Sequence, residues 1–289
     1  MLDKKLKKKV FHALSIITLL IFSLYYTNKS IDIIREQDDI MKNIHKNASS
    51  YKVESENAEI IGNKIIPGKK GKEVDLEKSY TKMKKYGTYN ESLTVLKEIE
   101  PVISINDYYD KYVIRGNTTD KTLALVFPVS EAKNLDKLVQ ILKANDVAAT
   151  FFLDGTLIES NPDLVKNLHN YELELLSYNS GYEKIYFTSS LNYLTSLSKQ
   201  NAKYCYSNYD QKEVIELCAS LKLHTIIPTI KVSDNTYSEV KTRLTNSAII
   251  SIPPTSKTLA TLDTTIKYLK QKGYTFLTLA DLLTEDLEK

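Results

Sequence analysis

The chain has 289 residues, room for one large domain with an extension or for two modest domains. Its residues are 42% hydrophobic and 26% charged, ordinary globular proportions that exclude wholesale disorder. With 39 basic against 36 acidic side chains the formal net charge is +3, which gives no case for a nucleic-acid partner.

The basic residues crowd the start. Lys4, Lys5, Lys7, Lys8 and Lys9 are followed by Val10 to Tyr26 with no Asp, Glu, Lys or Arg. As a helix that run measures roughly 25 Å, the short end of what spans a hydrocarbon core. Its exit, Leu24-Tyr25-Tyr26, lacks the small residues of a signal-peptidase site. An uncleaved single-pass anchor over residues 10–27 is therefore expected, with residues 1–9 as a cytoplasmic tail and everything after Thr27 outside the cell membrane. A cleaved signal peptide and a buried core helix are the alternatives.

Residues 28–59 read as stalk and linker. Ile33, Ile34, Ile40, Met41 and Ile44 make a partial helical stripe that continues the anchor or pairs with another chain. "IIPGKKGK", Ile65 to Lys72, is turn-rich. Residues 60–117 form an unassigned membrane-proximal subdomain, with a short helix from Asp75 stopped by Gly87 and weak strands at Val102–Ile105 and Tyr112–Ile114.

After Thr118 the pattern turns regular. Strand-like runs occur at Leu123–Phe127, Ala149–Leu153, Leu173–Tyr178, His224–Thr229, Ala248–Ile252 and Thr275–Leu279. Between them lie helical stripes: Leu135, Leu138, Val139 and Leu142; Val214, Ile215, Leu217, Cys218 and Leu221; Leu262, Ile266 and Leu269 before Gly273. Asn161-Pro162 is a helix start. Such alternation over residues 118–289 predicts an α/β domain with a parallel sheet, a compact and incomplete (β/α) barrel. Cys205 and Cys218 are the only cysteines; Cys218 sits on an apolar stripe and reads as a small core residue, with a disulfide as the less favoured alternative.

One strand poses a chemical question. "LALVFPVS", Leu123 to Ser130, ends on a proline and a valine at the place where α/β proteins usually put their chemistry. "LDKLVQILKANDVAATFFLDGTLIESNPDLVKNL", Leu135 to Leu168, closely resembles the polysaccharide deacetylases, the NodB-homology or carbohydrate esterase family 4 enzymes. "YCYSNYDQKEVIELCASLKL" and "LDTTIKYLKQKGYTFLTLADLL" resemble later segments of the same family in the same order. The resemblance implies a distorted (β/α) barrel descended from enzymes that remove N-acetyl groups from cell-wall glycans, using a divalent metal to polarise the carbonyl and activate water.

The resemblance also says where that chemistry would stand. The family motif T-F-D-D-G falls on Val126 to Ser130, so the catalytic aspartate becomes Pro128 and the metal-binding aspartate becomes Val129. H-x-x-x-H falls on Tyr178 to Tyr182, turning both histidine ligands into tyrosines. R-x-P-Y-G falls on Lys203 to Ser207, with Lys203 in the arginine's place and Tyr206 retained, and the acid histidine becomes Pro253. Proline and valine offer no lone pair, and neutral phenols are poor ligands for a divalent ion. No metal and no other cofactor is expected. Asp154, Tyr178, Tyr182, Lys203, Tyr206 and Tyr209 are the side chains expected around the old cleft, with Asp154 read first as a turn or helix cap.

The reading that follows is a membrane-anchored pseudoenzyme outside the cytoplasm, binding cell-wall glycan or a surface protein. An active N-deacetylase with a relocated site and a purely structural scaffold are the alternatives.

Overall fold

The structure, a computed structural model, describes residues 4–176 and 184–287. Two helices, α1 (Lys4–Gln37) and α2 (Asp39–Ala48), precede the short strands β1 (Glu59–Ile61) and β2 (Lys64–Ile66). β3 (Gly71–Val74), α3 (Leu76–Lys84), β4 (Leu96–Ile99) and β5 (Tyr112–Val113) follow. Then come β6 (Thr122–Val129), α4 (Leu135–Asn145), β7 (Thr150–Leu153), α5 (Gly155–Ser160), α6 (Pro162–Asn167) and β8 (Glu172–Leu176). The second half carries α7 (Lys184–Ser198), β9 (Tyr204–Tyr206), α8 (Lys212–Ser220), β10 (His224–Ile226), β11 (Ile230–Lys231) and α9 (Thr236–Arg243). β12 (Ala248–Ser251), α10 (Ser256–Ala260), α11 (Leu262–Gln271), β13 (Thr275–Leu277) and α12 (Leu279–Leu283) complete it.

The chain divides into two compact units, one from the residues up to Glu54 with Gly71–Ile99, the other from Ser55–Lys70 with Glu100 onward. This is not the boundary composition suggested: the span 60–117 is shared between both units.

In the first unit α1 exposes large apolar side chains from Phe11 to Tyr26. The hydroxyls of Ser15 and Thr18 bond back to the carbonyls of Phe11 and Leu14, which lowers their polarity. No helix among the described residues is long and apolar enough to cross a membrane. The helix runs on past Thr27 as far as Gln37. It breaks at Asp38, whose carboxylate caps α2 through the Ile40 N–H at 2.9 Å and accepts a hydrogen bond from Tyr80 on α3 at 2.9 Å. Lys84 beside it holds the Asp38 carboxyl down at about 2. Ile40, Met41 and Ile44 are consequently buried, with Ile40 and Ile44 packed on Val74 and Met83 in a small core of their own.

The second unit is built on one sheet, ordered β1-β2-β5-β10-β9-β8-β7-β6-β12-β11, with β13 also on β6. Apart from the antiparallel β1–β2 hairpin its strand pairings are parallel. β6 is its hub. One edge takes β12 over Leu123–Val126; the other is divided between β13 over Thr122–Ala124 and β7 over Val126–Val129. The described strands form an open path, a half-barrel rather than a closed ring, ending at the two-residue β11 on one side and the exposed β1 on the other.

Alternate residues of β6 serve two layers, as the pleat dictates. Leu123, Leu125, Phe127 and Val129 pack outward against Leu135, Leu138 and Leu142 of α4. Ala124 and Val126 face a second core with Phe152, Leu176, Tyr204, Tyr206 and Ile249. This double burial is why the strand reads as a continuous apolar run. The expected helical stripes become α4, α8 and α11, and Pro162 opens α6.

Cys205 on β9 and Cys218 on α8 are both fully buried and form a disulfide, with Cα atoms 6.3 Å apart. The core placement of Cys218 was legible; the pairing was not the favoured expectation. It arises because α8 folds straight back over the strand it follows. Closing so short a loop is worth about 3 kcal/mol. Cys218→Ala should therefore lower stability by about 2–4 kcal/mol. In unfolded, unreduced protein neither thiol should react with maleimide, and alkylation of both would refute the bond.

Candidate functional site

In a parallel α/β sheet the strands' C-terminal ends carry the chemistry. At that end of β6, Pro128 follows the alternation and turns away from the outer core. It lines a cleft of about 370 Å³ together with Ser130, Lys133, Asn134, Pro253 and Pro254. The amide of Asn134 donates to the Pro254 carbonyl at 3.1 Å and ties the two walls together. Pro128 and Pro253 thus meet in one cleft, as the resemblance implies. Val129 does not join them. It is fully buried in the outer core opposite Leu153.

Tyr206 is held by polar contacts of its own. Only 1% exposed, it bonds through its hydroxyl to Ser251 Oγ at 2.7 Å and donates to Asn208 Oδ1 at 3.0 Å. Its ring lies 5.4 Å from that of Phe152. A side chain so enclosed cannot offer a face to a sugar, so Tyr206 is a bracing residue between β9 and β12 rather than a cleft wall. Tyr209, 68% exposed, does offer one.

Lys203 is corrected outright. It precedes β9, at the opposite end from Tyr206, where its backbone N–H donates to the Glu174 carboxylate at 2.9 Å. It borders another cavity, with Asn106, Tyr109 and His224. Tyr178 and Tyr182 lie outside the described residues. Asp154, 1% exposed, caps α5: its carboxylate accepts the Thr156 N–H at 2.9 Å and the Thr156 hydroxyl. That is the capping role, filled by the Oδ1 atom.

Sequence reasoning missed Lys231. On β11 it pairs in register with Ser251, and its ammonium donates to the Asn208 carbonyl and lies 5.3 Å over the Tyr209 ring. Burial pushes its pKa down. A two-residue strand has no periodicity to reveal such a position.

The far end of the sheet is chemically different. Glu172 and Glu174 are held there by backbone N–H groups, and burial pushes both carboxyls up, Glu174 well up. His224 stacks on Tyr109 at 4.3 Å, and burial brings it down to about 4, a neutral imidazole at pH 7. This is a structural end of the fold.

A divalent metal of the kind the resemblance implies does not fit the residues present. Pro128 and Val129 supply no donor atoms, and Val129 faces the core. Among the described residues no three His, Cys, Asp or Glu side chains converge on a metal-sized site.

With this geometry in hand, residues 115–242 match the family model for polysaccharide deacetylase, the family that the sequence resembles. More particularly, wild-type BA3943 from Bacillus anthracis, a CE4 family pseudoenzyme, superposes with a TM-score of 0.64 at 27% identity, over 87% of this chain and 97% of that one. A BA3943 mutant described as a pseudoenzyme with restored enzymatic activity superposes equally, TM-score 0.64 at 26% identity, over 87% of this chain and 100% of that one. The uncharacterized protein YlxY of Bacillus subtilis is 25% identical over 277 residues, 89% of this chain and 87% of YlxY. The family 4 carbohydrate esterase PdaA of Bacillus subtilis shares the fold, with a TM-score of 0.54 at 21% identity over 61% of this chain and 86% of PdaA.

Asp154→Ala should cost about 1–2 kcal/mol of stability, the usual worth of a cap. Ligand binding by the folded variant should be unchanged. A variant of undiminished stability that loses a measurable activity would contradict the capping role.

Proposed function

We propose that this protein is a pseudoenzyme, held at the outer face of the cell membrane by α1, which binds cell-wall glycan in a deacetylase-type cleft without hydrolysing it. The observation that carries the reading is that two prolines line that cleft together: Pro128 stands where the resemblance puts the general base and Pro253 where it puts the acid. Neither can accept or donate a proton through its side chain.

A positioned base alone is worth about two to four orders of magnitude in rate. Losing the metal as well removes carbonyl polarisation and water activation together. What remains is a shaped cleft with a polar rim, and binding is the function such a cleft can retain. The likeness to BA3943, a CE4 family pseudoenzyme, favours the same conclusion.

The anchoring part of the reading rests on five lysines ahead of an apolar, outwardly exposed stretch of α1. Placement outside the cytoplasm draws support from the buried disulfide, since such bonds persist in oxidising compartments.

The full chain in detergent should release no acetate from N-acetylated cell-wall glycan or chitin oligomers, with zinc, cobalt or manganese added. Calorimetric titration of the same oligomers should show saturable heat. Acetate release above the buffer rate would overturn the pseudoenzyme reading, and absence of any binding would overturn the glycan reading.

A further inference from the structure

Lys231 combines two contacts, a backbone carbonyl and an exposed aromatic ring, at the cleft end of the sheet. Ile230 beside it belongs to the outer core, so the pleat turns Lys231 the other way, toward the face that holds Tyr206 and Ser251. Its ammonium reaches across to the Asn208 carbonyl at the end of β9.

Several lysines of this unit have carboxylate partners, while Lys121 and Lys270, like Lys231, donate to backbone carbonyls, those of Lys272 and Asn145. Lys70 pairs with Glu100 at 3.0 Å and Asp286 at 2.9 Å, Lys166 with Asp163 at 3.0 Å, and Lys267 with Asp263 at 2.7 Å. Among the described residues Lys231 has one backbone carbonyl and the Tyr209 ring, and no carboxylate. Burial pushes its pKa down. An ammonium has three N–H donors, and a partly buried charge without a counter-charge is costly. Such a position is stabilised when an anion arrives. Tyr209 stands next to it with its ring largely in solvent and its backbone fixed by the Ser207 hydroxyl, which donates to the Tyr209 carbonyl at 2.7 Å. A cation beside an exposed aromatic ring matches a ligand that carries a carboxylate on a sugar.

We propose that Lys231 and Tyr209 form a subsite for a carboxylate-bearing glycan, Lys231 holding the carboxylate and Tyr209 the adjoining sugar face. This rests on the glycan-binding function proposed above and adds the charge class of the ligand.

The test compares three oligosaccharides of equal length titrated into the full chain in detergent: oligogalacturonate, its neutral methyl ester, and a chitin oligomer. Oligogalacturonate should bind at least tenfold more tightly than the ester, with the difference shrinking as salt rises. Lys231→Gln should abolish that preference without lowering the melting temperature, because it removes a desolvated charge. Lys231→Arg should keep the preference, and Tyr209→Ala should weaken the acid and the ester alike. Equal binding of acid and ester, or a preference that survives Lys231→Gln, would overturn the subsite. In that case binding of the chitin oligomer would leave the glycan-binding function standing, whereas failure of all three sugars to bind would remove both.

Discussion

The constraint on which the sheet unit depends is the double burial of β6. Its outward residues are fixed by the helices and its inward ones by the barrel interior, while three neighbouring strands take up its two edges. Those contacts require apolar side chains of about the right size and nothing more. The chemistry of a parallel α/β sheet stands just past such strands, where side chains contribute little to the packing. Proline at 128 therefore leaves the strand intact. Val129 goes further, since an apolar side chain there extends the outer core by one residue.

The same logic explains why the two ends of the sheet carry opposite kinds of polarity. At the far end, buried carboxyls are satisfied by backbone N–H groups from β9 and α12, and a buried imidazole is kept neutral. These groups are bound up in holding strands and helix starts together. At the cleft end the polar atoms divide. Tyr206, Ser251 and Asn208 satisfy one another, and Asp154 caps a helix, but Lys231 is left with an unbalanced charge. A polar group spent on the fold and a polar group held ready for a ligand can be told apart by what it is bonded to.

Much of this was legible in the sequence, for identifiable reasons. Double burial makes β6 and β7 continuous apolar runs, and α4, α8 and α11 show their stripes because one face of each packs on the sheet. The expected replacements at Pro128 and Pro253 depended only on aligned motifs, and the cleft brings both together. Other features had no local signal. β1 and β2 are three residues long and fell inside a stretch that composition could not assign, where β5 alone among these strands, at the expected Tyr112–Ile114, showed weak strand character. Lys203 and Tyr206 lie at opposite ends of a three-residue strand, so a motif that spans the strand cannot say which of its residues reaches the cleft. The break at Asp38 depends on partners more than forty positions away on α3, and the disulfide depends on how α8 folds back.

The central claim is that this barrel kept its packing and lost its metal-binding atoms, and metal content tests it most directly. The purified full chain, equilibrated with zinc and freed of excess, should contain no stoichiometric zinc, and chelation should leave its melting temperature unchanged. One zinc per unmodified chain, with a melting temperature that falls on chelation, would contradict the account.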